Sequence, residues 1–167
     1  EDGSGGDSIV KDGTGKLVLS VANIYTGSTT INGGVVEIGA DDNLGAVPGS
    51  ATPGQLTFNG GTLNTTGAGT FDLNSNRGIQ INGGGGTLDV DGGQTLTYDG
   101  IAAGTGNLTK AGTGTLLLGG ANSYSGKTIL NDGILSISAD DNLGAAPTSA
   151  EADQLTFNGG TLNASSD

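Results

Sequence analysis

Much of this amino-acid sequence occurs twice. The stretch ADDNLGA at positions 40–46 returns at positions 139–145, and QLTFNGGTLN at positions 55–64 returns at positions 154–163. Both pairs are offset by 99 residues (139 minus 40, and 154 minus 55), with no insertion or deletion between residues 10–68 and residues 109–167. Self-similarity at a fixed period is typical of solenoids and stacked modules, in which each unit buries its apolar side against a neighbour. We therefore expect the chain to be a slice of a repeat array.

The composition excludes a thick hydrophobic core. Among 167 residues there are 35 Gly but only three Phe, three Tyr and no Trp or Met, which is too few large side chains for a packed two-layer domain. Short apolar runs nevertheless recur, such as KLVLSV at positions 16–21 and GTLLLGG at positions 114–120, and disordered linkers lack such runs. The pattern predicts many short strands separated by turns.

Apolar residues alternate with polar ones in each run, as expected for strands with one buried face. The alternating pairs are Leu17 with Leu19, Val36 with Ile38, Leu56 with Phe58, Ile79 with Ile81, Leu88 with Val90, Leu96 with Tyr98, and Leu116 with Leu118. Two architectures fit this alternation. In a stack of hairpins, the Asn-Gly pairs at Asn32, Asn59, Asn82 and Asn158 would form tight turns between antiparallel strands; in a parallel β-solenoid, the same glycines would turn corners.

The spacing of the strand centres favours the solenoid. The centres at Leu17, Val36, Leu56, Ile79, Leu96 and Leu116 lie between 17 and 23 residues apart. We expect an all-β fold, a parallel β-helix with about 20 residues per coil, about five coils in each 99-residue repeat and about eight in the chain. It would be a single continuous solenoid over residues 1–167, with repeat copies at 10–68 and 109–167 and connecting coils at 69–108.

The charge excludes several classes of partner. The formal net charge is −12, with only five basic residues, whereas a nucleic-acid surface needs clustered Lys and Arg. We therefore expect no nucleic-acid partner and no direct membrane insertion of this slice. No cysteine is present, which fits an exported chain that crosses a membrane unfolded, and neither a signal peptide nor a transmembrane run is seen.

The segment LTKAGTGTLLLGGANSYSGKTILNDGILSISADDNLG, residues 108–144, closely resembles the passenger-associated repeat of bacterial autotransporters. The matching positions are Leu108, Lys110, Gly112, Gly114, Leu116, Leu118, Gly120, Asn122, Tyr124, Gly126, Thr128, Leu130, Gly133 and Leu135. The first copy matches with two departures, Val10 for a leading Thr and Val21 in place of Gly120. The resemblance implies a right-handed parallel β-helix of an adhesin, located extracellularly on the bacterial cell surface, in a repeat associated with passenger export and folding.

No catalytic, cofactor or metal site is predicted. Without His or Cys, the common nucleophilic triads and imidazole metal sites cannot form. Asp89 and Asp91 share one strand face, an arrangement that is not specific for a glycosidase pair, and Arg77, a lone basic residue in the middle of the chain, offers little to stabilise a sugar carboxylate. The stretch GGGGTLDVDGG at 83–93 puts Leu88 where a β-roll calcium repeat needs Asp, and residues 83–86 favour a tight corner over a phosphate loop.

Two further features have a structural interpretation and a functional one. Asp41 and Asp140 could each begin a short helix as its N-cap, or could join their neighbours in a weak surface ion site; we favour the cap. Tyr25 and Tyr124 could be exposed sugar platforms, but their equivalence in the two copies favours positions packed between coils.

The sequence thus favours a non-catalytic display stalk of an autotransporter-like adhesin. It would bind a host-surface or glycan ligand through regions outside this slice or through a shallow lateral face. The alternative is a self-assembling extracellular fibre subunit that associates end to end, because neither residues 1–7 nor residues 165–167 contain an apolar cap. A polysaccharide-acting enzyme ranks behind both.

Overall fold

The computed structural model describes residues 6–165. This part consists of short strands and two 3₁₀ helices, at Asp41–Leu44 and Asp140–Leu143, and contains no α-helix. The expectation about uncapped termini concerns residues 1–7 and 165–167, which lie largely outside the described residues. In chain order the strands are β1 Ile9–Lys11, β2 Lys16–Leu19, β3 Thr29–Ile31, β4 Val35–Ile38, β5 Thr52–Phe58, β6 Thr62–Thr65, β7 Gly69–Leu73, β8 Arg77–Ile81, β9 Gly86–Val90, β10 Gln94–Tyr98, β11 Ala102–Gly104, β12 Leu108–Ala111, β13 Thr115–Leu118, β14 Thr128–Leu130, β15 Ile134–Ile137, β16 Leu155–Phe157 and β17 Thr161–Ala164.

The strands form three parallel sheets that wrap one axis. Side 1 is the sheet β1-β3-β5-β8-β11, side 2 is β2-β4-β6-β9-β12-β14-β16, and side 3 is β7-β10-β13-β15-β17. Every strand pair in the three sheets is parallel. Parallel neighbours require a crossover rather than a hairpin, so the Asn-Gly pairs turn corners and the predicted β-solenoid is confirmed.

The coil is longer than the sequence spacing suggested. Side 2 contributes one strand to each of seven turns, and successive turns lie about 23 residues apart rather than 20. The difference arises because two turns carry long loops in place of a strand, at residues 39–51 and 138–154. The strand centres gave a shorter period because some of the centres compared lie on different sides of the solenoid, such as Ile79 in β8 on side 1 and Leu96 in β10 on side 3.

The second sequence copy is rotated relative to the first. Strand β4 belongs to side 2, whereas its equivalent β15, 99 residues later, belongs to side 3; likewise β3 on side 1 corresponds to β14 on side 2. One sequence period therefore covers four turns and one further side, not the five coils expected. Identical stretches consequently point in different directions from the axis.

The core is a narrow column of inward-facing apolar side chains. The predicted alternation is confirmed: the inward pairs from Val36 with Ile38 to Leu116 with Leu118 are all at most 2% exposed. Leu17 and Leu19 are only partly buried, because β4 is the one described strand that pairs with β2. Stability of such a column rests on continuous ladder hydrogen bonds and stacked side chains rather than on bulky packing.

Glycines permit the close approach of successive turns at the corners. Residues 82–85 connect β8 to β9, which begins at Gly86. Gly85 has φ 78°, and a Cβ added to Gly84 would lie 2.6 Å from the Asn59 carbonyl oxygen. These glycines thus form the tight corner predicted from the sequence. None of the described residues forms a helix long and apolar enough to cross a membrane.

Candidate functional site

Two loop modules replace a strand on one side of the solenoid. The first loop module consists of residues 20–28 and 39–51 on side 3, and the second consists of residues 119–127 and 138–154 on side 1. Each module stacks a loop of one turn on the 3₁₀ helix of the next turn. These are the places where the chain departs from the regular ladder, and loops on a rigid scaffold are where binding residues concentrate.

An asparagine, not an aspartate, caps each 3₁₀ helix. The Asn43 side-chain oxygen accepts the backbone N–H groups of Gly39 and Ala40 at 2.9 and 3.1 Å. Asn142 does the same for Ser138 and Ala139. The predicted short helices are therefore confirmed, but the predicted N-caps are wrong: the N-cap positions are the alanines, and Asp41 and Asp140 are the first helical residues.

The repeat asparagines join the two layers of each module. Asn23 donates its side-chain N–H to the Asn43 carbonyl at 2.8 Å, and its backbone N–H to the Asp42 carbonyl at 2.9 Å. Asn122 makes the equivalent side-chain bond to Asn142 at 2.6 Å. The motif asparagine is therefore used to hold one turn against the next.

The repeat tyrosines are buried between turns, as predicted. Tyr124 is 0% exposed, and its hydroxyl shares a 2.6 Å hydrogen bond with the Thr128 hydroxyl. Burial raises the pKa of Tyr124 to about 12. A Cβ added to Gly144, which has φ 94°, would lie 2.8 Å from this ring. Tyr25 is buried in the same way, so neither tyrosine offers a platform to a sugar.

Arg77, the first residue of β8, holds the first loop module through its side chain. Its side chain is 1% exposed, and its guanidinium donates to the Asp41 carboxylate at 2.8 and 3.0 Å. It also donates to the carbonyls of Leu44 at 2.9 Å and Gly45 at 2.6 Å. Bidentate pairing with a carboxylate is the strongest geometry that arginine adopts. Sequence reasoning assigned Arg77 no role, although a single arginine within an apolar strand pattern was a signal that could have indicated one.

Within residues 6–165, the second loop module has no equivalent of this anchor. Asp140 is exposed, and no described residue forms a hydrogen bond or ion pair with its carboxylate. The position equivalent to Arg77, 99 residues further on, lies outside the 167 residues. Two identical sequences thus have different surroundings in this structure.

Each motif lysine lies at a corner between two sides of the solenoid. Lys11 lies between side 1 and side 2, and Lys110 lies between side 2 and side 3. Lys110 is 1% exposed, and its ammonium donates to the carbonyls of Ala111 at 2.6 Å, Gly112 at 2.7 Å and Asp132 at 3.4 Å. Burial lowers the pKa of Lys110 to about 8. Lys11 binds three corner carbonyls in the first copy. These lysines replace water as donors to carbonyls that no ladder bond can reach.

Asp89 and Asp91 do not form an opposed pair. Burial, followed by the neighbouring Asp91, raises the pKa of Asp89. In the ladder, however, Asp89 lies between Asn64 and Ala111, and the Asn64 amide donates to the Asp91 carboxylate at 3.0 Å. Glycoside hydrolysis needs carboxyls on opposite faces of a substrate, and two groups along one strand lack that geometry. In the described part, moreover, no three His, Cys, Asp or Glu side chains are grouped so as to hold a metal.

A largely apolar lateral groove lies beside the first loop module. It has a volume of about 340 Å³ and is lined by Pro53, Gly78, Ile101 and Ala103 together with Asn76 and Asp99. Ile101 is 54% exposed. Such an open groove can contact a surface but does not enclose a small substrate.

The fold and the site together define a class of protein, an extended repeat scaffold in which the side chains of the repeat motif form hydrogen bonds within and between turns of the solenoid. Residues 9–38 and 108–137 match the family model described as Passenger-associated-transport-repeat. These findings support an autotransporter passenger domain, which confirms the resemblance drawn from the motif residues.

One curated relative extends the similarity. A 63-residue stretch is 46% identical to the protein named Adhesin BmaC autotransporter of Brucella suis biovar 1 (strain 1330), and this stretch covers 38% of the chain and 2% of that relative. The chain therefore spans a small fraction of the relative's length. No solved structure matches.

Proposed function

We propose that the chain is a non-catalytic display segment, a stalk that holds binding regions of a surface-exposed or secreted autotransporter adhesin away from the cell. One observation carries the proposal: the motif residues Lys110, Asn122 and Tyr124 are all buried and bonded to neighbouring turns. Side chains used in this way stabilise a rod and are not free for a ligand. The name of the Brucella relative supports the adhesin context.

Deletion in the full-length parent tests the stalk role. Removing residues 10–167 should reduce surface display, measured by antibody labelling of intact cells, and should reduce adhesion. Removing residues 10–108, a single 99-residue period, is the matched control, because it joins two equivalent positions and preserves one complete copy. We expect this control to retain display. Unchanged display and adhesion after the larger deletion would contradict the stalk role.

A direct contact through the lateral groove is separable from display. Ile101→Asp introduces a charge into this apolar groove, at a side chain that is 54% exposed and so contributes little to folding. Reduced adhesion with normal display would place a host-surface or glycan contact at this groove. Normal adhesion would assign binding to regions outside these 167 residues.

A second candidate is a self-assembling extracellular fibre subunit, because the parallel ladders on all three sides would let turns of separate chains stack as turns of one chain do. Sedimentation of the purified chain distinguishes the two candidates: oligomers that lengthen with concentration favour the fibre, and a monomer excludes it.

A further inference from the structure

The same tetrapeptide, Ile-Asn-Gly-Gly, occurs at residues 31–34 and at residues 81–84, and Phe-Asn-Gly-Gly occurs at residues 58–61. All three begin a corner between a strand of side 1 and a strand of side 2, in the second, fourth and third turns of the solenoid. Each of these corners has a described turn before it and after it. The corners therefore compare nearly identical residues that have different contacts.

An Asn-Gly linkage can react with itself, because glycine has no side chain to shield its backbone nitrogen. That nitrogen loses its proton and forms a bond to the asparagine Cγ, and the side-chain nitrogen takes up a proton and leaves as ammonia. Water then opens the resulting five-membered ring, which gives aspartate or isoaspartate according to which of the two ring C–N bonds breaks. The reaction thus requires that the side-chain amide and the next backbone N–H are both free to move.

The fold restrains the linkage at Asn59. The Gly60 N–H, which contains the attacking nitrogen, donates to the Gly85 carbonyl at 2.7 Å. The Asn59 side-chain oxygen accepts the Gly84 N–H at 3.3 Å. Ring closure at Asn59 must therefore break two hydrogen bonds.

The linkage at Asn32 is restrained through its side chain. The Asn32 side-chain nitrogen, which is the leaving group, donates to the Asp12 carboxylate at 2.8 Å. The following residue is held as well, because the Gly33 carbonyl accepts the Lys11 ammonium at 3.2 Å. Ring closure at Asn32 must first release the bond to Asp12.

The corner at Asn82 differs because it is one residue longer. Residues 82–85 separate β8 from β9, whereas residues 32–34 and 59–61 separate the strands at the other two corners. None of residues 6–165 accepts a hydrogen bond from the Gly83 N–H, and a Cβ added to Gly83 would meet nothing within 4 Å. The Asn82 side chain is exposed, and its one contact is a 3.4 Å bond from the Gln80 amide to its oxygen. The attacking nitrogen and the leaving group are thus both free of protein partners.

We propose that Asn82–Gly83 is a modification site of the folded chain, at which Asn82 converts without an enzyme to aspartate and isoaspartate while Asn32 and Asn59 are retained. The conversion changes the formal net charge from −12 to −13, because one neutral amide becomes a carboxylate. In isoaspartate the main chain no longer passes through the carbonyl that accepts the Gly85 N–H at 2.8 Å, so this corner loosens.

Peptide mapping by mass spectrometry tests the proposal on the purified chain, incubated folded at mildly alkaline pH. Conversion raises the peptide mass by about 1 Da, and the isoaspartate peptide separates from the aspartate peptide on chromatography. We expect conversion at Asn82 to be at least about fivefold faster than at Asn32 or Asn59, because one hydrogen bond less has to be broken. Equal rates at the three sites, or faster conversion at Asn32 or Asn59, would overturn the proposal.

The same incubation in urea tests whether the fold selects the site. The three rates should converge in the unfolded chain, since the residues around each asparagine are nearly the same. If Asn82 kept its full advantage in urea, the local sequence and not the corner would select it, and the proposal would be wrong.

Two substitutions separate the contributions of the contacts. Asp12→Ala removes an exposed carboxylate and should raise the rate at Asn32 about fivefold without changing the rate at Asn82. Gly83→Ala has room for its Cβ and should slow conversion at Asn82 to the rate at Asn32 or below. An unchanged rate at Asn32 in the first variant would show that the hydrogen bond does not protect it, and an unchanged rate at Asn82 in the second would exclude attack by the residue 83 nitrogen; either result would contradict the proposal.

Discussion

Arg77 and Asp41, 36 residues apart in the sequence, form a bidentate ion pair in which the guanidinium is almost completely removed from solvent. The pair ties the 3₁₀ helix of one turn to the first residue of β8. A buried ion pair contributes little net stability when compared with apolar residues, but removing one partner leaves the other charge uncompensated. The first loop module therefore depends on both residues together.

Asp41→Asn should lower the free energy of unfolding by about 3–5 kcal/mol, because it leaves the Arg77 charge buried without its counter-ion. The same substitution in the other copy, Asp140→Asn, is the matched control and should change it by less than about 0.5 kcal/mol. Urea denaturation followed by circular dichroism measures both. Equal losses in the two variants would show that the loop sequence, not the arginine, sets the stability.

The buried Lys110 ammonium should titrate near pH 8, far below an exposed lysine, because burial lowers its pKa to about 8. An unfolded lysine has its ordinary pKa of 10.5. Between these two values the unfolded state binds more protons, so the contribution of Lys110 to the free energy of unfolding rises with pH. NMR titration of the lysine side chains measures the pKa of Lys110.

The matched control for Lys110 is Lys16, which is exposed and pairs with Glu37; that pairing raises the pKa of Lys16. Lys110→Met should abolish the resonance that titrates near pH 8 and the associated rise in stability. A single lysine transition above pH 10 in the native chain would contradict the burial of Lys110.

Gly120→Val should disrupt the sixth turn, because a Cβ at this position would lie 1.9 Å from the Gly100 carbonyl oxygen. We expect a loss of at least about 3 kcal/mol, as for severe overpacking. The converse change in the first copy, Val21→Gly, concerns a side chain that is 67% exposed and should cost no more than about 1 kcal/mol. Thermal denaturation of the two variants checks the pair, and similar midpoints would indicate that the loops do not stack as described.

Alkaline pH should unfold the chain cooperatively. Burial raises the pKa of Tyr124 to about 12 and that of Tyr98 further still, from an ordinary value of 10.0. For a raised tyrosine pKa, the stabilisation is fully present below pH 10 and is lost as the pH rises towards the folded value, since the unfolded state releases its proton first.

Tyrosinate absorbance reads this transition directly, because the chain contains no Trp. We expect little absorbance change at pH 10 and a steep, cooperative rise above it that coincides with the loss of β-sheet circular dichroism. Tyr124→Phe should shift the midpoint of alkaline unfolding upwards. A gradual rise centred on pH 10 would show that the tyrosines are solvated.

The rotation of the second copy can be measured with spin labels. The chain has no native Cys, so Asp42→Cys and Asp141→Cys label equivalent, exposed positions in the two 3₁₀ helices. Four turns and one side correspond to a rise of about 21 Å at 4.8 Å per turn. Because the helices lie on different sides, the measured distance should exceed this rise by several ångströms. A distance equal to the rise would place both helices on one side.

The fold could be predicted from the sequence because short-range patterns of residues indicate it. Alternation identified the inward residues from Val36 to Leu118, and repeated glycines identified the corners. The length of a turn could not be read in the same way, since loops at 39–51 and 138–154 replace strands without breaking the repeat. The 99-residue offset gave no sign that equivalent strands change sides, because rotation depends on how many residues each turn consumes.

The roles of individual polar residues were harder to predict. The sequence does not show whether an aspartate or the neighbouring asparagine caps each 3₁₀ helix. Only the hydrogen bonds to the backbone identify Asn43 and Asn142 as the capping residues. The pairing of Arg77 with Asp41 joins residues from turns that are not adjacent in the repeat pattern. Tyrosine positions were predicted correctly because their recurrence at one period indicated packing.

The change of side between equivalent strands sets the geometry of any array built from this unit. Each period makes four complete turns and a further third of a turn, so successive loop modules are rotated by a third of a revolution around the rod. They return to the same side only after three periods, which is about 62 Å along the axis at 4.8 Å per turn. A straight line along the rod would therefore meet a loop module only once in every three periods.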